Sequence, residues 1–263
     1  MSVIKDYLSG CATIAAKVAE QEAAIATAAK WFSETILAGR MVHVFGSGHS
    51  RIMVEEMWPR YGSFTGFNPI VELSLTFHNP VVGANGQRQA MFLENVPGLA
   101  ARILRNFNIT KEDCALVISS SGCNVVPIEM AEGFRARGIK VVGIITRLHS
   151  EANRSKRADG KKLQDFCDLV LDTGAPDGDA MVKVPGLDTP VSPGSTVGGV
   201  MLVNCIKAEV ARSLTAAGHP PKVLTSASVA GAERAVELFE AAYDEHGRRL
   251  ARVLDRPEKL NDE

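Results

Sequence analysis

Two short apolar runs in this 263-residue chain end in the same way. Met41 to Phe45 runs into Gly46-Ser47-Gly48-His49-Ser50. Cys114 to Ile118 runs into Ser119-Ser120-Ser121-Gly122-Cys123-Asn124. Each run is too short for a helix and, His43 aside, apolar throughout, as a strand buried on both faces would be. Each is followed by a small-residue turn and then by helical spacing. A strand covered on both faces needs a helical layer above and another below, so the pattern points to a parallel sheet sandwiched by helices.

The rest of the chain repeats the alternation. Ile14, Val18, Ile25, Phe32 and Ile36 lie at spacings of four and seven, which predicts one helical stripe over residues 11–38, ended by Gly39. A helix is expected from about Arg51 to Pro59, a strand over Phe67–Leu73 interrupted by Pro69, and a helix over about Arg88–Asn106 with an irregular start near Pro97. Further strands are expected at Lys140–Ile145 and Leu169–Leu171. A buried helix follows over 196–216 and an amphipathic one over 232–254. The expected fold is α/β: a three-layer αβα sandwich with a parallel, doubly wound, flavodoxin-like sheet. It forms one domain, divided into an N-terminal helical extension (1–39), a core (40–217) and a C-terminal loop and helix (218–263). Ligands of such folds bind at the C-terminal edge of the sheet, where the strand-to-helix loops open.

Composition narrows the partners. Lys plus Arg total 29 and Asp plus Glu 30, a net charge of -1, so charge gives no reason to expect a nucleic-acid or membrane-surface partner. No run approaches the roughly 18 apolar residues of a membrane span, and no basic segment feeds an apolar stretch at the N-terminus as a secretion signal would. A cytoplasmic protein is expected. The five cysteines (Cys11, Cys114, Cys123, Cys167 and Cys205) include no C-x-x-C pair and are read as reduced thiols. No metal-binding constellation is present in the sequence. Asp172, Asp177 and Asp179, set among glycine and proline, are read as turn residues.

The two serine loops suit an anion. Free backbone N–H groups, hydroxyls and the positive end of the following helix together favour phosphate. The first loop is not a dinucleotide fingerprint, because Arg51 stands where the third glycine would be, and neither loop has the Gly-Lys-Ser/Thr ending of a P-loop. A third segment, Ser192-Pro193-Gly194-Ser195-Thr196, precedes the long buried helix. There Ser195 is either a further donor or only a helix cap.

With VFGSGHS at 44–50, VISSSGCN at 117–124, and the segments GSGHSRIMVEE, HSEANRSKRADGKKL and SPGSTVGG, the chain resembles the sugar isomerase (SIS) superfamily of phosphosugar-binding domains. Within it the chain is similar to the phosphoheptose-isomerase-like UPF0309 branch. The superfamily includes aldose-ketose isomerases, an amino-sugar ether lyase and noncatalytic sugar-phosphate sensors. The resemblance implies that Ser47 and Ser50, with Ser119, Ser120 and Ser121, hold a substrate phosphate. Gly48, His49, Gly122, Asn124 and Ser195 complete the expected set. Asn124 stands where other members carry serine or threonine.

An enzyme of this kind needs a base beside the sugar carbonyl, and a buried glutamate is a usual choice. Glu55 and Glu56 lie on the helix leaving the first loop between apolar neighbours. Being about 100° apart on that helix, at most one can face the pocket. Glu94 matches loosely the helix glutamate that sugar-phosphate ether lyases place between the two loops. His78 is a candidate for ring opening or for protonating a leaving hydroxyl, and His49 for a ligand contact. Phosphoheptose isomerases carry a glutamate where Arg60 stands and a histidine on the last core helix, which residues 196–216 lack. That departure favours elimination over isomerisation. The implied function is cofactor-independent proton abstraction on an (N-acetyl)amino-sugar or related sugar 6-phosphate, leading to elimination or aldose-ketose isomerisation. The alternative is a noncatalytic sensor. A homodimer or homotetramer is expected, with the stripe on residues 14–36 as the partner surface, and the basic run 154–162 is read as a solvated loop or a lid.

Overall fold

The computed structural model describes residues 2–76 and 87–255, so the expectation for His78 falls outside the described residues. In chain order the elements are α1 (Val3–Ala19), α2 (Glu22–Leu37), β1 (Val42–Gly46), α3 (Arg51–Met57), β2 (Phe67–Ile70), α4 (Leu73–Thr76), α5 (Gln87–Leu93), α6 (Leu99–Leu104), β3 (Cys114–Ile118), α7 (Val125–Ala136), β4 (Lys140–Ile145), α8 (Arg147–Ala152), β5 (Leu169–Asp172), α9 (Ser195–Ala216), α10 (Ala227–Ala230) and α11 (Ala232–Leu254). The five strands form one parallel sheet in the order β2-β1-β3-β4-β5. This is the flavodoxin-like winding, whose direction reverses between β1 and β3. The two serine loops leave these two neighbouring strands, so both must open at the switch point of the sheet.

Alternation along the strands divides the core in two. Val42, Val44, Leu116, Ile118, Val142 and Ile144 face the layer that holds Phe32 of α2, Met53 of α3 and Leu202 of α9. Phe45, Ala115, Val117, Val141 and Ile145 face the layer that holds Ile103 of α6 and Phe134 of α7. Every residue of β1 and β3 is buried, as their largely apolar runs require, His43 of β1 included. Pro69 sits in β2, an edge strand, where a missing N–H costs no ladder bond on the open side.

The N-terminal segment differs from the expectation in two respects. The single helix over 11–38 is two helices, broken at Glu20–Gln21. The Gln21 side chain donates to the Asp172 carbonyl (2.8 Å) and accepts the Asp172 N–H (2.8 Å), pairing with the backbone of edge strand β5 as a neighbouring strand would. The stripe Ile14, Val18, Ile25, Phe32 and Ile36 is present and buried, but inside the chain's own core, where α2 packs on α9. The helix expected over 88–106 is likewise two, α5 and α6, separated by residues 94–98 with Gly98 in the left-handed region (φ 83°). Among the described residues no helix is long and apolar enough to cross a membrane.

Helix α9 approaches the end of β5 closely. A Cβ on Gly198 would stand 1.9 Å from the Thr173 carbonyl oxygen, a backbone atom that cannot swing aside. Gly198→Ala gains up to about 1 kcal/mol of helix propensity, but overpacking against a fixed backbone costs about 1–3 kcal/mol or more. The variant should unfold at lower urea concentration than the wild type. An unchanged or higher midpoint would show that α9 is not seated as described.

Candidate functional site

Both serine loops open into one cavity of about 220 Å³ at the C-terminal edge of the sheet. The first loop turns through residues 48–50 into α3. The second turns through Gly122 (φ 63°) into α7, whose N-cap is Asn124. Ser47, Gly48, His49, Ser50, Ser119, Ser120, Ser121, Asn124 and Ser195 line the cavity, as does Glu94. Gly122 does not line it but forms the turn: its N–H reaches the Ser119 carbonyl (3.1 Å) and Oγ (3.2 Å).

Glu94 joins the two loops. It follows the last residue of α5, and its N–H still bonds to the Ala90 carbonyl (2.9 Å). Its own carbonyl accepts the N–H of Val126 in the first turn of α7 (2.8 Å). With its backbone held at both ends, the carboxylate accepts Ser47 Oγ (2.8 Å) from the first loop and Asn124 Nδ2 (2.7 Å) from the second. Burial pushes the Glu94 carboxyl above its ordinary value. The Ser47 bond, attraction to Lys156 and the Asn124 bond offset this only in part. The amide of Asn124 is thus engaged by a carboxylate, and the Ser47 proton points the same way.

The other hydroxyls have distinct roles. Ser119 Oγ accepts the Gly122 N–H (3.2 Å) and Ser121 Oγ accepts the Cys123 N–H (3.2 Å), which leaves each hydroxyl proton to be donated elsewhere. Ser120 Oγ meets Thr146 Oγ1 (3.1 Å), which meets Thr173 Oγ1 (2.7 Å). Thr146 is buried, while Ser120 and Thr173 line the cavity, so a chain of hydroxyls ties the ends of β3, β4 and β5 together. The Ser195 hydroxyl and N–H are committed to Asp179 (2.5 and 2.6 Å), which also accepts the Gly194 N–H (2.9 Å). The start of α9 therefore carries a carboxylate supplied by the chain itself.

Glu55 and Glu56 do not line the cavity. Glu55 is exposed and lies 3.9 Å from Arg51, an i,i+4 partner. Glu56 lies 3.3 Å from Lys207 Nζ and 3.0 Å from Arg60. Burial alone would raise its pKa, but Lys207, Asn204 and Arg60 outweigh burial and hold the carboxyl below its ordinary value. The apolar neighbours Met53, Val54 and Met57 are buried; between them Glu55 is exposed, while Glu56 is mostly buried against Lys207. The basic run is largely tied down: Arg157 pairs with Glu132 (2.7 Å) and Asp159 (2.9 Å), and the Lys156 N–H bonds to the Cys123 carbonyl (2.9 Å). Among the described residues no three His, Cys, Asp or Glu side chains converge as a metal site would require.

His149, Thr173, Asp179 and Thr196 also line the cavity. None was singled out for chemistry in the sequence, where their one signal is position: each lies shortly beyond β4 or β5, or at the start of α9. The three acidic residues read as turn formers do hold local structure. Asp172 Oδ1 accepts the N–H groups of Arg147 (2.9 Å) and Gly174 (3.1 Å), Asp177 meets His149, and Asp179 caps α9.

The family model for the SIS domain matches residues 6–146, more than half of the chain and the whole stretch carrying both serine loops and Glu94. The chain belongs to the SIS domain family. Within it, this SIS domain falls among the UPF0309 proteins. It is 34% identical over 233 residues to one from Halalkalibacterium halodurans, covering 88% of this chain and 94% of that relative. It is 33% identical over 218 residues to one from Listeria innocua, covering 83% and 85%. A phosphoheptose isomerase structure from Francisella tularensis aligns with a TM-score of 0.49 at 17% identity, over 79% of this chain and 95% of that one.

Proposed function

We propose that this SIS domain binds a sugar phosphate between its two serine loops and abstracts a proton from the carbon beside the sugar carbonyl, with Glu94 as the base. The observation that carries this reading is the Glu94 carboxylate itself, which is raised in basicity, lines the cavity and is bonded to both loops at 2.7–2.8 Å. Any phosphate held by those loops lies beside it. Neutral donors suffice for a dianion, because hydrogen bonds to a charged acceptor are roughly twice as strong as neutral ones. Ser119 and Ser121 have protons to give; Ser47 and Asn124 instead hold the base. The enolate formed by Glu94 leads to elimination or to aldose-ketose isomerisation. An amino-sugar 6-phosphate, N-acetylated or free, is the substrate class proposed.

The decisive experiment is incubation in deuterated water with glucose 6-phosphate, fructose 6-phosphate, glucosamine 6-phosphate and N-acetylglucosamine 6-phosphate. Deuterium at C2 or loss of water from at least one of them is expected. Binding without exchange would leave a sensor and overturn the catalytic reading. The phosphate assignment has its own test. Ser121→Ala removes one hydrogen bond to a charged group, worth about 1.5–3 kcal/mol, so the dissociation constant for a bound sugar phosphate should rise about tenfold or more. Calorimetric titration giving the wild-type constant would remove Ser121 from the anchor.

A further inference from the structure

The geometry points to His149, oriented by Asp177, as the acid that protonates the substrate's carbonyl oxygen while Glu94 takes the carbon-bound proton. This rests on the enolisation reading above. His149 lies on α8 just beyond β4, and its ring lines the cavity. Its Nδ1 is 3.1 Å from Asp177 Oδ1. Two other donors approach Nδ1 at 3.3 Å, the Gly178 N–H and Asn153 Nδ2, but each has a shorter bond elsewhere. Gly178 donates to Asp177 Oδ1 at 2.7 Å, and Asn153 to the His149 carbonyl at 2.7 Å. Asp177 Oδ1 is the nearest of these groups and can accept a proton from Nδ1, which leaves Nε2 on the opposite edge of the ring.

Asp177 is itself fixed. It opens the short turn 177–179, whose other end, Asp179, is bonded to the first residues of α9. The Asp177 carboxylate is 59% exposed, so the pair adds little to stability. Its consequence is to fix the tautomer and the ring plane, the part a third group plays behind a catalytic base or acid.

The two proton-transfer groups occupy different parts of the sheet edge. Glu94 is bonded to the loops after β1 and β3, whereas His149 and Asp177 follow β4 and β5. Both side chains line the one cavity, so a carbonyl and its neighbouring carbon bound there can meet both groups. In the step proposed, Glu94 removes the carbon-bound proton. The C–H electron pair forms the carbon–carbon double bond, the carbonyl π pair moves to oxygen, and that oxygen takes the Nε2 proton of the His149 imidazolium. Glu94 ends protonated, His149 neutral and the substrate an enol with its charge unchanged. Reversal at the adjacent carbon, or exchange with water, restores both groups.

The test uses the full chain and whichever of the four sugar phosphates exchanges with the wild type. His149→Gln should slow deuterium incorporation at C2 by about a hundredfold or more, the usual contribution of a general acid, while inorganic phosphate binds with an unchanged dissociation constant. Asp177→Ala, a surface change that leaves the fold intact, should move the His149 proton from Nδ1 to Nε2 in 15N spectra of the ring and lower kcat more than it changes KM. Asp177→Glu should recover part of the rate. Exchange at the wild-type rate in His149→Gln, or an unmoved tautomer and rate in Asp177→Ala, overturns the assignment while the Glu94 reading stands. A wild type that exchanges none of the four sugars overturns both.

Discussion

Glu94→Gln is expected to lower turnover about a thousandfold, within the range of a general base, and to bind sugar phosphate at least as tightly as the wild type. The substitution isolates charge from shape. Ser47 can rotate its hydroxyl to accept from the new amide nitrogen, while Asn124 Nδ2 still donates to the remaining oxygen, so the bridge between the loops can persist with every partner satisfied. What is lost is a proton acceptor and a negative charge beside a bound dianion, and losing that charge favours the ligand. Turnover and affinity should therefore change independently, or in opposite directions. A purely structural glutamate would give parallel loss of both. The wild-type pH profile adds a second check. Because burial raises the Glu94 pKa, and because a base works in its ionised form, the rate should fall on the acid side at a pH above the ordinary glutamate value. An acid limb at or below that value would remove Glu94 from the role. Steady-state kinetics and titration on the same preparation decide the matter.

The strands were legible because burial on both faces writes itself as an unbroken apolar run, as in Cys114–Ile118 and Val141–Ile145. The loops were legible for a related reason: a tight turn at a strand end leaves only small residues with hydroxyls. The break between α1 and α2 was not, because its cause is a pair of hydrogen bonds from Gln21 to a residue 151 positions away. Glu55 and Glu56 illustrate a different limit. Apolar flanks show that a helix is buried on one side but do not say on which side a carboxylate lies. Lys207, which draws Glu56 away from the cavity, comes from α9, far along the chain. Glu94 entered the sequence reading through family resemblance alone. Neither periodicity nor spacing reveals that a residue after a short helix will be pinned between two loops. His149 was invisible for the same reason, since its partner Asp177 lies beyond another strand.

Asp113→Ala is expected to cost about 3–5 kcal/mol of folding stability, the usual result of removing one partner from a buried charge pair. Asp113 sits just before β3, at the N-terminal edge of the sheet, and is buried. Its carboxylate accepts Arg40 Nε and a second guanidinium nitrogen, both at 2.8 Å, and the Thr110 N–H at 2.8 Å. His43 Nε2 stands 3.3 Å away, off the line of a good hydrogen bond. His43 is fully buried and is held from its other side by Asn68 Nδ2 at 3.0 Å from Nδ1. Removing the carboxylate leaves a guanidinium only 12% exposed without its anion, beside a buried imidazole. Against a typical total of about 5–15 kcal/mol, a loss of that size is a fifth or more of the whole. Urea denaturation should show a lower midpoint with an unchanged slope. The pH dependence distinguishes this loss from simple cavity formation. Burial alone would raise the Asp113 pKa, but the neighbouring His43 and Arg40 outweigh it and hold the carboxyl below its ordinary value. The stabilisation is therefore complete above the unfolded aspartate pKa, about 3.9, and is lost as pH falls through the lower folded value. The wild-type advantage over Asp113→Ala should thus be constant near neutrality and shrink below about pH 4. An advantage that persisted at pH 2 would mean that packing rather than charge holds this end of the sheet. Because the cluster lies at the opposite edge from the cavity, the folded fraction of the variant should keep its affinity for sugar phosphate, so the loss belongs to the fold and not to the site.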